Sequence, residues 1–141
     1  MTKCSEVMTR NPVCARPEDT VASVARLMKE NDIGPVPIVD NHNAKKLVGI
    51  VTDRDLAIHV VAEGRDPQTT QVSEVMTTDV ITCRDDDDIE TALDAMSTHQ
   101  LRRIPVVDDG NMLLGIIAQA DIATRMDEPE KTGEVVKDIS E

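Results

Sequence analysis

Aligned on itself with an offset of 68, the chain repeats: Val7-Met8-Thr9 falls on Val75-Met76-Thr77, Met28 on Met96, and Val36-Pro37-Ile38-Val39-Asp40 on Ile104-Pro105-Val106-Val107-Asp108. Further on the offset becomes 66, with Gly49-Ile50-Val51 on Gly115-Ile116-Ile117 and Asp55 on Asp121. A turn has shortened while the flanking patterns hold, which loops tolerate and packed elements do not. A repeat of this length is too long for a solenoid. It predicts two half-domains, 1–68 and 69–126, related by a pseudo-twofold axis and followed by an acidic tail over 127–141 that is a candidate helix. Clefts between such halves are natural ligand sites.

A chain of 141 residues fits one domain and buries roughly two thirds of its unfolded surface without disulfides or metal. Leu, Ile, Val, Met and Ala must supply the core, because Phe, Tyr and Trp are absent. Proteins that bind single-stranded nucleic acid stack bases on aromatic rings, and duplex readers need a basic face. A chain without aromatics and with a formal net charge of -12 is excluded from both classes.

Cys4, Cys14 and Cys83 form no C-x-x-C pair, and an odd number without a secretory signal reads as reduced thiols in the cytoplasm. The apolar stretches are short and interrupted by charge, so no membrane span is expected. Asp85-Asp86-Asp87-Asp88 lacks the D-x-D-x-D-G spacing of a calcium loop. It reads as a helix start, where carboxylates favour the macrodipole, and no metal site is expected.

Each repeat reads strand, helix, strand, strand, helix. Val13 to Ala15 is a short extended piece, Pro17-Glu18-Asp19-Thr20 opens a helix, and Val21, Val24, Ala25, Leu27 and Met28 form its apolar face. Ile33-Gly34 ends that helix. Val36 to Val39 is a buried strand whose Pro37 belongs at a ladder start or edge, since it donates no hydrogen bond. Leu47 to Val51 is the next strand, Thr52 to Ala62 a helix ending near Gly64, and Glu63 to Thr70 the linker. The second repeat follows with a helix through Ile89, Ala92, Leu93 and Met96, strands Ile104–Val107 and Leu113–Ile117, and a helix from Asp121.

The most specific local feature is Gly49-Ile50-Val51-Thr52-Asp53-Arg54-Asp55, a strand running into a helix N-terminus. The Asp55 carboxylate can accept bonds from a vicinal diol such as a ribose. The Thr52 hydroxyl and free backbone N–H groups can meet a phosphate. The same tetrapeptide is also an ordinary cap, which makes a helix start with no ligand. Arg102-Arg103 stands at the entrance of a buried strand in an otherwise acidic chain, where guanidiniums either bind phosphate or pair with carboxylates.

Taken together, the twofold repeat, the Met-Thr near each start, the h-x-x-h-P-h-h-D strands (Ile33 to Asp40 and Leu101 to Asp108) and G-h-h-T-x-x-D at Gly49 to Asp55 resemble the paired CBS domain, or Bateman module. The resemblance implies an α/β (α+β) fold of two β-α-β-β-α units packed through their sheets. It also implies a site for an adenosine-containing ligand: AMP, ADP, ATP or S-adenosylmethionine. The main site would combine Thr52 and Asp55 with Val80, Ile81, Leu101, Arg102 and Arg103. Apolar members would sandwich the purine, and the arginines would take phosphate. A second site would combine Asp121 with Val13, Cys14, Ile33, Gly34 and Pro35. Ala118 stands there in place of Thr52, and Gly34-Pro35 in place of the arginine pair. That site is expected to be weaker, empty, or selective for an uncharged adenosine compound.

No catalytic residue is expected, because His42, His59 and His99 lie beside no Ser, Cys or acid at a spacing that suggests a triad or metal set. For Cys14 and Cys83, small-residue packing is favoured over redox sensing. The resemblance implies a homodimer, a disc of four CBS units, with Leu56, Val60, Val61 and Ile122 as candidates for its packing face or else for burial within the subunit. The rival to a nucleotide sensor is a scaffold that binds no nucleotide. With no effector domain expected in the sequence, the chain either acts on a separate effector protein or is a stand-alone sensor.

Overall fold

Helix α2 (Val21–Asn31) begins where Thr20 supplies an N-cap, its side chain accepting the Ser23 N–H. It ends when Asp32 turns left-handed at φ 53 and returns its N–H to the Met28 carbonyl. Helix α4 (Ile89–His99) repeats the plan, with Asp88 as N-cap and Gln100 as the left-handed residue at φ 54. The expected stop at Ile33-Gly34 therefore falls slightly earlier, at a non-glycine residue. The acidic run does serve a helix start, through the bond from the Glu90 N–H to Asp88.

The computed structural model describes residues 1–125, so the expected tail over 127–141 lies outside the described residues. The other elements are α1 (Cys4–Val7), β1 (Thr9–Arg10), β2 (Val36–Val39), β3 (Leu47–Val51), α3 (Asp53–Leu56), β4 (Cys83–Arg84), β5 (Arg103–Val107), β6 (Leu113–Ala118) and α5 (Gln119–Arg125). The fold is the expected mixed α and β one. The helix expected over Thr52–Ala62 changes pitch: α3 continues as a π-helical turn, Ala57–Val61, with the Ala62 N–H bonded to the Ala57 carbonyl.

Packing does not follow chain order. Val13–Val80 forms one compact unit, and Met1–Pro12 joins the chain from Ile81 onward in the other. Each repeat thus lends its leading segment to the body of the other repeat, a division that differs from the repeat boundaries 1–68 and 69–126. Backbone pairing is the cause. In one unit β1 pairs with β6, Thr9 opposite Ile116. In the other, Thr77 and Ile50 exchange bonds of 2.8 and 2.9 Å.

The unit containing the chain from Ile81 onward has a four-stranded sheet in the order β1-β6-β5-β4. The Val13–Val80 unit builds the same order with fewer bonds: β2 pairs with β3, and single bridges from Thr77 to Ile50 and from Ala15 to Ile38 flank them. Both hairpins carry an irregularity at the same place, Ile38/Val39 and Val106/Val107. Pro37 sits where expected. The bonds from Ala15 N–H to Pro37 and from Val39 N–H to Ala15 put its nitrogen one step ahead of the first parallel pairing, so no ladder bond is lost.

The expected linker is part of the Val13–Val80 unit. Carbonyls of Pro67 and Thr70 accept the Ala22 and Val21 N–H groups, each at 2.9 Å, satisfying donors that the start of α2 leaves open. The other unit repeats this contact, with the Thr2 carbonyl accepting the Ile89 N–H at 2.8 Å. Each unit has its own apolar core. One is centred on Val24, Val36, Ile38, Val51 and Val60, the other on Met96, Ile104, Val106, Ile117 and Ile122.

Candidate functional site

Strand β3 delivers Thr52 in extended conformation to the start of α3, where Thr52 and Asp55 bond reciprocally. The Thr52 hydroxyl accepts the Asp55 N–H at 3.1 Å, and Asp55 Oδ2 accepts the Thr52 N–H at 2.9 Å. Gly34 carbonyl takes the Asp53 N–H at 3.1 Å, and Thr52 carbonyl takes that of Leu56 at 3.2 Å. Asp53 Oδ1 takes the Arg54 N–H at 2.9 Å. The expectation that free N–H groups here meet a phosphate is therefore corrected: every N–H from Thr52 to Leu56 already has an acceptor. A ligand has Asp55 Oδ1 and the hydroxyl hydrogen of Thr52 to work with, both on half-buried residues. What remains open is one acceptor and one donor, without a cluster of free N–H groups.

The cationic element belongs to the other unit. Past the left-handed Gln100, the half-buried Leu101, exposed Arg102 and half-buried Arg103 lead into β5. Arg16 pairs with Glu18 at 3.3 Å and Arg65 with Glu74 at 2.5 Å, and Arg84 pairs with Asp109. Neither Arg102 nor Arg103 makes an ion pair among the described residues. The Arg102 carbonyl accepts the Gln119 N–H at 2.9 Å, and Arg103 stands opposite Ala118 in the hairpin. Within this unit the arginine pair thus adjoins the start of α5 and a neutral residue, Gln119. In the Val13–Val80 unit the equivalent Gly34 has Asp53 beside it, where a Cβ would lie 3.2 Å from the carboxylate. One strand entrance is cationic and its counterpart acidic.

At α5 the absent hydroxyl of Ala118 leaves half of the reciprocal cap: Asp121 Oδ2 accepts the Ala118 N–H at 3.1 Å. The same oxygen accepts the Thr9 hydroxyl at 3.2 Å. Sequence reasoning missed Thr9 as a partner of Asp121. The Met-Thr repeated at the head of each unit carried its only trace.

The remaining expected site residues divide as follows. Val13, Cys14, Ile33, Gly34, Pro35 and Val80 belong with Thr52 and Asp55, and Ile81 belongs with Leu101, Arg102, Arg103 and Asp121; Val13, Cys14, Ile33, Gly34, Pro35, Val80 and Ile81 are all half-buried. Burial pushes the Cys14 thiol up, with Lys45 opposing and Asp19 adding to the rise. Leu56, Val60 and Ile122 are buried in their own units, which corrects their candidacy for a packing face. Val61 at 77% and Ile58 at 41% are the exposed apolar pair on that helix.

A cavity of about 530 Å³, not foreseen, is lined by His59, Glu63, Arg65, Glu74, Val75 and Met76 of the Val13–Val80 unit. Its one guanidinium is neutralised by Glu74. No group of three or more His, Cys, Asp or Glu is placed to hold a metal ion among the described residues. Asp108 Oδ1 accepts the N–H groups of Gly110 and Met112, and Asp87 Oδ2 that of Arg84, so the acids here shape turns. No helix among the described residues is long and apolar enough to cross a membrane.

The architecture, a duplicated α+β unit with a T-x-x-D helix start on one copy and an arginine pair on the other, is that of a paired regulatory module. The family model for the CBS domain matches residues 4–62 and 72–128, and the chain belongs to that family. It is 37% identical over 140 residues to a CBS domain-containing protein, YhcV, of Bacillus subtilis, covering 99% of this chain and 96% of that one. The crystal structure of Hypoxic Response Protein I with two coordinated zinc ions aligns with a TM-score of 0.80 at 33% identity, covering 89% of this chain and 99% of that one. The CBS domain pair of protein MJ0100, in complex with 5′-methylthioadenosine and S-adenosyl-L-methionine, aligns with a TM-score of 0.74 at 30% identity, covering 88% and 94%.

Proposed function

We propose that this CBS pair is a non-catalytic, cytoplasmic sensor of an adenosine-containing ligand (AMP, ADP, ATP or S-adenosylmethionine). The main determinants are Thr52, Asp55, Val80, Ile81, Leu101, Arg102 and Arg103. The observation that carries the reading is the adjacent pair of guanidiniums with no carboxylate partner among the described residues of a chain with net charge -12. Leaving two charges unpaired amid so many acids favours an anionic group from outside. Asp55 Oδ1 is the acceptor for the ribose diol. The adenosine ligands named for the MJ0100 pair support the ligand class.

The determinants Val13, Cys14, Ile33, Gly34, Pro35 and Asp121 form the weaker set, suited to an adenosine compound without phosphate. A ligand acts by favouring one arrangement of the protein over another, and the signal passes to a separate effector protein.

The exposed Ile58 and Val61 favour a second reading, a protein-contact module that forms a homodimer of four CBS units and needs no nucleotide. Thermal melting with AMP, ATP and S-adenosylmethionine separates the two. A sensor melts higher with at least one of them, and Asp55→Asn, which keeps an acceptor for the Thr52 N–H, abolishes the rise. No shift with any adenosine compound leaves the contact module.

A further inference from the structure

One backbone hydrogen bond recurs at the same place in both repeats, and the two residues it joins carry opposite charge in the two copies. In the Val13–Val80 unit the Asp53 N–H bonds to the Gly34 carbonyl at 3.1 Å, and in the other unit the Gln119 N–H bonds to the Arg102 carbonyl at 2.9 Å. Gly34 aligns with Arg102 at the offset of 68, and Asp53 with Gln119 at the offset of 66. In each copy the residue that opens the helix is thereby held beside the strand entrance. One copy fills this contact with a guanidinium-bearing residue and a neutral amide, the other with a bare glycine and a carboxylate.

The carboxylate stands where a side chain on residue 34 would begin. A Cβ on Gly34 would lie 3.2 Å from Asp53 Oδ1 and 3.5 Å from Oδ2. Asp53 Oδ1 accepts the Arg54 N–H at 2.9 Å, which holds the group in this orientation. Asp53 is exposed and makes no ion pair among the described residues. At Cys14 of the same unit, by contrast, Lys45 and Asp19 act with opposite signs, which leaves Asp53 as the charge at Gly34.

We propose that Asp53 sets the charge preference of the weaker determinant set, turning it away from phosphate and toward an adenosine compound that carries a sulfonium or an ammonium on its 5′ side. The inference rests on the sensor reading, in which Arg102 and Arg103 take the phosphate of the main set. Through the repeat, Gly34 and Pro35 hold the corresponding positions in the weaker set. A carboxylate there repels phosphate and attracts a cation. Among the proposed ligands S-adenosylmethionine fits, because its sulfonium is bonded to the 5′ carbon, whereas AMP, ADP and ATP carry negative charge on that side. Gly34 is the enabling partner, since any side chain on it would have to displace the carboxylate.

An acid at the first position of a helix also favours the macrodipole. That role bears on stability and predicts no order among ligands, so the ligand order separates the two.

The test is a titration of nitrogen-15-labelled full-length protein at neutral pH, followed at the Gly34 and Cys14 amides by nuclear magnetic resonance. The ligands share base and ribose and differ in charge on the 5′ side: 5′-amino-5′-deoxyadenosine and S-adenosylmethionine are cationic there, adenosine neutral and AMP anionic. Affinity at these amides is expected to fall in that order. Asp53→Gln, which copies Gln119 at the start of α5 and so should fold, is expected to weaken the cationic compounds and strengthen AMP. Each change should be about fivefold, the worth of one charge contact in water. Asp53→Glu keeps the carboxylate and is expected to keep the order. A parent protein that takes AMP at these amides as tightly as 5′-amino-5′-deoxyadenosine overturns the proposal without recourse to a variant. An order that Asp53→Gln leaves unmoved while the compounds still bind overturns it too, and the sensor reading then survives. Amides that respond to none of these compounds overturn the sensor reading and this inference together.

Discussion

The Met76 thioether lies directly over Gly49, at the point where a Cβ on residue 49 would come within 2.6 Å of its sulfur and 3.0 Å of the Thr77 carbonyl oxygen. Met8 lies over Gly115 in the same way, with both the sulfur and the Thr9 carbonyl oxygen 2.7 Å from a Cβ there. Glycine in these strands is therefore a matter of clearance, because the leading segment of the other repeat crosses that face. Gly49→Ala is expected to destabilise by about 1–3 kcal/mol, an overpacking cost. Gly115→Ala should cost more, since a backbone oxygen cannot swing away as a thioether can. Urea unfolding of the two variants checks both the sign and the order.

Much of this was legible in the chain, and the parts that were not share a cause. Periodic apolar positions placed α2, α4 and the four long strands, because a buried face writes itself into the sequence. Thr52 and Asp55 announced a helix start by spacing. Pairing between the leading segments and distant strands left little trace, since Thr9 and Thr77 bond through the backbone, which is blind to side-chain type. The use of Pro67 and Thr70 to cap α2 was missed for the same reason, and Thr9 on Asp121, a side-chain bond, because its partners stand 112 residues apart. Leu56 and Ile122 were ambiguous because an apolar residue reads alike whether it faces a core or a partner.

Thr52 and Ala118 occupy the same position at α3 and α5, one with a hydroxyl to accept an N–H and one without. Thr52→Ala is expected to lose about 1 kcal/mol of stability. Ala118→Thr is expected to gain up to about 1 kcal/mol, because Asp121 already holds the Ala118 N–H and only the reciprocal bond is missing. Opposite shifts in the urea midpoint at unchanged slope are the signature to look for.

The raised Cys83 thiol gives stability a particular dependence on pH. Above about 8.5 the unfolded chain begins to release its thiol protons, while folded Cys83 keeps its own. The unfolded state then binds fewer protons, so stability falls as pH rises, by up to about 1.4 kcal/mol per unit for this group. Half-buried Cys14 adds a smaller slope of the same sign. Cys4, shifted down, adds a slope of the opposite sign for as long as the unfolded thiol still holds its proton. The double substitution Cys4→Val, Cys83→Ala, which copies the other unit, should flatten the decline between about pH 8.5 and 10 to the part due to Cys14. An unchanged slope would show that other groups set it.

The sensor reading proposed above gives the ribose to Asp55 and the phosphate to the arginine pair, and so makes a prediction about the choice of ligand. With all the N–H groups from Thr52 to Leu56 already bonded, the proposed phosphate contact falls to the guanidiniums. A charge-assisted bond contributes about 1.5–3 kcal/mol, so Arg102→Ala should weaken AMP binding by roughly 10- to 100-fold. Affinity for adenosine or 5′-methylthioadenosine, which carry no phosphate, should change little. Asp55→Asn should weaken all of them, because the ribose is common to the set. Calorimetric titration of the three ligands against the two variants and the parent resolves the pattern. If Arg102→Ala and Asp55→Asn depress AMP and adenosine equally, the arginines support the fold of the site rather than the phosphate, and charge selectivity resides elsewhere.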